Sequence, residues 1–293
     1  MYKQEIYQSI QKNVKLLSEN HAANYPYIPL YEKHLPEAKE LQPILDTLKA
    51  IIFPGYFGST LANLNSLQHH TGVNLEQLYS LLSEQIYRAI TFSSENTESC
   101  REQSDKLTNA FIDRLPHIKH LLSTDVKAIY DGDPAAESYA EIIFCYPAIR
   151  ALLNHRVAHE LFALHVPLIP RIISEIAHTE TGIDIHPGAT IDEYFSIDHG
   201  TGIVIGSTAI IGKHVRLYQG VTLGAKSFKF DEQGNPIDIP RHPILEDRVT
   251  IYSNSSILGR ITIGEGTIVG GNIWLTHNVP PNSKILQSQA TDD

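Results

Sequence analysis

Of the side chains suited to chemistry, His199 stands out first. In FSIDHGTGIVIG (195–206) it follows Asp198 and precedes Gly200 and Gly202, which open the backbone around it. An imidazole titrates near neutrality, and one oriented by a carboxylate is the usual general base for a hydroxyl. Asp184 lies upstream and is a candidate for that carboxylate. Arg241 and His242 stand together at the end of a polar, aperiodic segment, where function concentrates. His186, His199, His214 and His242 also raise zinc. No pair among them has the spacing of a three-histidine site, so no metal is expected.

The frame that must position His199 is periodic. Every sixth residue is aliphatic along Ile185, Ile191, Ile197, Ile203, Ala209, Val215 and Val221. A second column, two residues later, reads Pro187, Glu193, His199, Ile205, Ile211, Leu217 and Leu223. That column places His199 in a slot otherwise given to hydrocarbon. The pattern resumes with Ile251, Ile257, Ile263, Val269 and Leu275, and Gly206, Gly212, Gly264 and Gly270 follow aliphatic positions. A six-residue period predicts a parallel β-helix in which three hexads form one coil, stacked about 4.8 Å from the next. With a coil of about 18 residues, Asp184 falls on the coil adjacent to His199, and a His–Asp pair is permitted. An imidazole in an inward column must be hydrogen-bonded or turned to solvent. Between Leu223 and Val249 the period fails, which predicts an inserted loop at about 224–243.

The first half has helical grammar. LEQLYSLLSEQIYRAITF sets Leu75, Leu78, Leu82, Ile86 and Ile90 on one stripe. Pro116 predicts a helix start, and Asp133 before Pro134 predicts an N-cap opening a further helix. The expected class is α+β: a helical domain over 1–178, then a parallel β-helix over 179–293. Histidines of the helical half, His155 among them, are expected at the surface or at caps.

Composition narrows the partners. With 23 basic and 33 acidic residues the formal charge is −10, which disfavours nucleic acid. Cys100 and Cys145 form no framework and are expected as buried free thiols in a reducing compartment. No apolar run is long enough to cross a membrane, and the N-terminus lacks a signal-peptide core. The expected location is the cytoplasm.

IDIHPGATIDEYFSIDHGTGIVIG, then QGVTLGA and RHPIL, after a helical segment containing DPA, resembles the serine O-acetyltransferase family of hexapeptide-repeat acyltransferases. The resemblance runs from about Asp133 to Val279. It implies that the β-helix is a left-handed parallel β-helix. It implies transfer of acetyl from acetyl-CoA to the hydroxyl of L-serine, in cysteine biosynthesis, by a homotrimer or a dimer of trimers with sites between neighbouring β-helices. It implies His199 as base and Asp184 as its orienting carboxylate. It implies Asp133 and Asp198 for the serine ammonium, and Arg241 and His242 for its carboxylate. For coenzyme A it implies Gly224, Ala225, Ser253, Asn254, Gly270 and Gly271, while Lys226 and Lys229 are further candidates for its phosphates. Two other readings stay open on the residues: a related acyltransferase acting on homoserine or a sugar, and a non-catalytic β-helix scaffold. Family members often dock O-acetylserine sulfhydrylase through a tail ending in isoleucine. This chain ends PPNSKILQSQATDD, so that complex is not expected by that tail. Ala225 stands where the family often has a second glycine, and the loop is longer than usual.

Overall fold

The computed structural model describes residues 2–18, 35–58, 63–92, 97–227 and 229–287. The chain divides into two units, Met1–Leu35 and Pro36–Asp293. The first contributes helix α1 (Tyr2–Ser18), on which Ile6, Ile10, Val14 and Leu17 are exposed. All elements that follow belong to the second.

That unit begins with α2 (Ala38–Ile52), α3 (Leu64–Thr91), α4 (Thr97–Ile112), α5 (Leu115–Gly132), α6 (Tyr139–Cys145), α7 (Pro147–Ala163) and α8 (Ile169–Thr181). The predicted stripe lies on α3, with Leu78, Leu82, Ile86 and Ile90 buried and Leu75 half-buried. Asn63 starts α3: its side chain accepts from the Ser66 N–H, and its own N–H donates to the Ser66 hydroxyl at 3.0 Å. Two orphan donors of the first turn are thereby satisfied. Pro116 falls in the first turn of α5, as its fixed φ favours.

Three expectations about this half are corrected. Asp133 opens no helix. It ends α5 and forms a turn in which its Oδ1 accepts from the Ala135 N–H at 2.9 Å. An Asp–Pro pair serves a turn as readily as a cap. The next helix starts at Ser138, whose hydroxyl accepts from the Glu141 N–H at 3.2 Å. His155 is 2% exposed, because α7 packs against α5, α8 and the solenoid and is buried nearly all round. Cys145 is exposed at the end of α6, just before the break at Pro147, while Cys100 is buried.

After α8 the chain winds into a parallel β-solenoid of about 5 turns. The first coil holds β1 (Asp184–Ile185), β2 (Thr190–Ile191) and β3 (Ser196–Asp198). The second holds β4 (Val204–Ile205), β5 (Ile210–Ile211) and β6 (Arg216–Tyr218). The third holds β7 (Thr222–Gly224), β8 (Ile244–Leu245) and β9 (Thr250–Ile251), and the fourth β10 (Ser256–Leu258), β11 (Thr262–Ile263) and β12 (Ile268–Val269). The last coil carries β13 (Trp274–Leu275) and β14 (Lys284–Ile285). Equivalent strands stack into three faces: a first of β1-β4-β7-β10-β13, a second of β2-β5-β8-β11 and a third of β3-β6-β9-β12-β14. Residues 225–227 and 229–243 lie outside the prism between β7 and β8, with an antiparallel bridge of Phe230 with Pro236.

The register corrects the sequence frame at the residue that matters most. Ile185 pairs with Ile205, and Ile205 with Leu223. The coil from Ile185 to Ile205 is therefore two residues longer than the one above it. Ile203 and Ile205 resume the inward columns of Ile183 and Ile185, all four buried. The extra length falls in the turn at 199–202. His199 thus occupies no hydrocarbon slot, and its side chain is 76% exposed. It closes the first coil that Asp184 opens.

Candidate active site

Turns from the third face to the first form one edge of the prism, here named the His199 edge. It carries His199–Gly202 in the first coil, Gln219–Gly220 in the second, Ser253–Asn254 in the third and Gly270–Asn272 in the fourth. These turns stack by backbone bonds: Gly220 N–H to Thr201 O at 3.0 Å, Asn254 N–H to Gln219 O at 3.0 Å and Asn272 N–H to Ser253 O at 2.9 Å. At about 4.8 Å per coil the edge runs roughly 14 Å from His199 to Gly270. His199 has φ 57° and Gly200 φ 91°. A Cβ on Gly200 would lie 2.5 Å from Ile183 Cδ1, so glycine lets this turn rest on the core while its imidazole stands outside.

Three carboxylates gather here. Asp198 Oδ1 lies 3.8 Å from His199 Nε2. Among the described residues no ion pair within 4 Å joins His199 to Asp184, so the acid in reach of the ring in this geometry is Asp198. Asp184 is half-buried on the outer side of β1, in register with Val204, which the chain reaches directly after the His199 turn. Asp133 comes from the end of α5. With Asp198, Ser196, Tyr146 and Arg216 it lines a cavity of about 10 Å³. The Tyr146 hydroxyl donates to Asp133 Oδ2 at 2.6 Å. That bond pushes the phenol up to about 12 and, with the Ala135 N–H, holds the carboxyl below its ordinary range.

The strand carrying Asp198 is gripped from the helical side. Arg156 Nη2 donates to Asp125 Oδ1 at 3.0 Å, with both side chains buried, and to Asp192 O at 2.8 Å. Its Nη1 donates to Ile191 O. Asp125 Oδ1 accepts from the Phe195 N–H at 3.2 Å, and Thr124 Oγ1 from the Tyr194 N–H at 3.1 Å. Helices α5 and α7 therefore hold residues 191–195 just before the chain enters β3.

The basic residues lie elsewhere. Turns from the first face to the second form the Arg241 edge, with His186, Thr208, Arg241–His242 and Arg260 in successive coils. Thr208 organises it. Its Oγ1 accepts from the Arg241 N–H at 2.9 Å and the His242 N–H at 3.1 Å. The Thr208 N–H donates to His242 Nδ1 at 3.1 Å, which leaves the neutral ring its proton on Nε2. Burial, then Arg241 and Arg260, lowers the His242 pKa and keeps it neutral. His186 is pushed down to about 4, chiefly by burial and then by Arg171. Arg241 is held by Asp238 Oδ1 at 3.2 Å. Beside it a groove of about 290 Å³ is lined by Lys226, Lys229, Arg260 and Leu258.

The candidate residues therefore fall into two sets. Asp133, Asp198, His199, Ser253, Asn254, Gly270 and Gly271 follow the His199 edge, with Asp184 beside it. Arg241, His242, Gly224 and Ala225 follow the Arg241 edge. One face separates the two, and six extended residues span at most about 20 Å. Tyr146, Arg216, Thr208 and Arg260 were not anticipated. The period marks inward positions only, and none of the four occupies one.

Among solved structures, serine acetyltransferase isoform 3 of Entamoeba histolytica in complex with cysteine matches 98% of this chain and 94% of its own, at TM-score 0.71 and 31% identity. Soybean serine acetyltransferase complexed with serine matches 86% of this chain and 98% of its own, at TM-score 0.55 and 27% identity. The class so defined is an acetyl-transferring enzyme on a β-solenoid with a helical cap. No family model matches the chain. It is 48% identical over 267 residues to the plasmid serine acetyltransferase of Synechococcus elongatus, covering 88% of this chain and 84% of that protein. The chain belongs to the serine acetyltransferase family.

Proposed function

We propose that this enzyme transfers acetyl from acetyl-CoA to L-serine at sites shared by neighbouring copies of a trimer, and that His199 is the base. The observation that carries this reading is the opposite charge on the two edges of the first face. A small zwitterion has its ammonium and carboxylate only a few ångströms apart. Edges one face-width apart meet across such a molecule when the acidic edge of one copy faces the basic edge of the next. A three-fold axis in front of the first face makes that contact three times over.

Asp133 and Asp198 take the ammonium. The Arg241 fork and the His242 Nε2–H take the carboxylate. His199 removes the hydroxyl proton as the serine oxygen attacks the thioester carbonyl. The tetrahedral intermediate collapses, the C–S bond breaks, and the imidazolium returns its proton to the thiolate. Asp184, on the strand that opens the coil His199 closes, is the carboxylate assigned to the imidazolium, while Asp198 Oδ1 is the acid within 4 Å of the ring. The stacked turns at Ser253, Asn254, Gly270 and Gly271 offer a small-residue track for the pantetheine arm. Gly224 and Ala225 lead into the groove where Lys226, Lys229 and Arg260 suit phosphates. The soybean relative's complex with serine favours serine as acceptor, and the Entamoeba relative's complex with cysteine favours competition by cysteine for the same charged contacts. Among the described residues no helix is long and apolar enough to cross a membrane, and we place the enzyme in the cytoplasm.

Thiol release from acetyl-CoA with a panel of serine, homoserine and a hexose tests the acceptor. Serine is expected to lead, with homoserine behind by roughly 10–200-fold, the usual value of one methylene. Release with the hexose alone would eliminate the amino-acid reading, and release with none would favour a scaffold.

Mixed assembly tests the shared site. Trimers made only of His199→Ala or only of Arg241→Ala chains are expected to be nearly inactive. Random trimers of both should recover about a quarter of normal activity, because that fraction of edge pairs is intact. If the mixture recovers nothing, the site does not draw its residues from two copies.

A further inference from the structure

We infer that Tyr146 and Arg216 are positioning residues for the substrate's ammonium, because Tyr146 bonds the Asp133 carboxylate and Arg216 ties down the Gly132 carbonyl just before it, which together fix Asp133 at the His199 edge. This rests on the reading above, in which Asp133 binds the ammonium. Asp133 directly follows the C-terminus of α5, an awkward place for an anion. The exposed carbonyls there carry the negative end of the helix dipole and repel a carboxylate. Helix ends also fray, which would blur the placement of a ligand.

Both difficulties are met by residues from other elements. Arg216 projects from β6, in register with Ser196 of the coil below. Its Nη1 donates to Gly132 O at 2.9 Å and so brings a positive charge to the last carbonyl of α5. The contact needs glycine at 132, since a Cβ there would lie 1.5 Å from Arg216 Nη2. Tyr146 comes from the α6–α7 junction and bonds Oδ2, while the Ala135 N–H bonds Oδ1. Each carboxylate oxygen keeps a lone pair for a further donor. The anion is therefore oriented and still able to accept.

The charged and titratable groups that bear on this carboxyl are Tyr146, His199 and Arg216, with Glu141 and Asp198 acting on the phenol. Among them the Tyr146 hydroxyl does most to hold Asp133 ionised. Removing it should raise the carboxyl's pKa, so Asp133 would protonate, and lose its hold on the ammonium, at a higher pH.

Steady-state kinetics of the full-length enzyme with Tyr146→Phe, Arg216→Gln, Arg216→Lys and Asp133→Asn test this. Tyr146→Phe and Arg216→Gln are each expected to raise the serine KM roughly tenfold, the usual worth of one charge-assisted hydrogen bond. The acetyl-CoA KM should stay within about twofold, since no contact with that ligand is removed. Arg216→Lys, which keeps the charge, should recover part of the loss. The acid limb of kcat/KM for serine should move to higher pH in Tyr146→Phe. On the Asp133→Asn background, Tyr146→Phe should add little further, because it acts through that carboxylate. An unchanged serine KM in both Tyr146→Phe and Arg216→Gln, or full additivity with Asp133→Asn, would overturn the inference and leave the function standing. An unchanged serine KM in Asp133→Asn alone would instead strike the ammonium assignment on which it rests.

Discussion

Replacing His199 with alanine is expected to lower kcat by about 10²–10⁴-fold, the range that a positioned general base supplies. The serine KM should change little, because the ammonium and carboxylate contacts belong to other residues. Stability should change little as well. The side chain is 76% exposed and, among the described residues, makes no hydrogen bond that alanine would forfeit. Its backbone is left-handed, with φ 57°, so alanine adds a modest strain. His199→Asn separates the two effects, since asparagine tolerates that conformation and cannot act as a base near neutrality. Both variants should show the normal mass in solution and a normal unfolding midpoint. Turnover within a few-fold of the unsubstituted enzyme in His199→Asn would remove the base assignment.

A different effect is expected deeper in the molecule. Asp125→Ala should cost about 3–5 kcal/mol of stability, the usual penalty for stranding one member of a buried ion pair. Asp125 is 0% and Arg156 3% exposed, so water does not reach the abandoned guanidinium. The Phe195 N–H also loses its acceptor. Urea unfolding followed by far-ultraviolet circular dichroism measures the loss. The double change Asp125→Ala with Arg156→Met should cost less than the sum of the two, because each removes the other's stranded partner. A loss below about 1 kcal/mol in Asp125→Ala would mean that the pair does not clamp the joint as its geometry indicates.

The sequence was most legible where one physical constraint acts on many residues. Stacked coils demand hydrocarbon at fixed intervals, so Ile205, Ile211, Leu217 and Leu223 announced the solenoid and its interruption. Amphipathic spacing likewise placed the α3 stripe. Legibility failed where a single turn departs from the rule. The oversized bend after Asp198 shifts the count by two, which made an exposed imidazole look like an intruder in the core. Asp133 misled because Asp–Pro serves turns and caps alike, and Ser138 was the stronger cap. His155 misled because a helix packed on all sides buries polar positions too. The residues implied by the family resemblance lie along two edges of one face, an arrangement that depends on the three-dimensional winding. The supporting groups, Tyr146, Thr208, Arg216 and Arg260, left no periodic trace. Their partners lie far off in the chain and are brought near only by the fold.

That longer bend has a consequence for how such a protein can change. The aliphatic ladder resumes in step above it, and the bend leans on the core at Gly200, so away from that glycine the scaffold and the reactive overhang are written in separate letters. Mutation can redraw the lip of the prism while the lattice behind it stays whole.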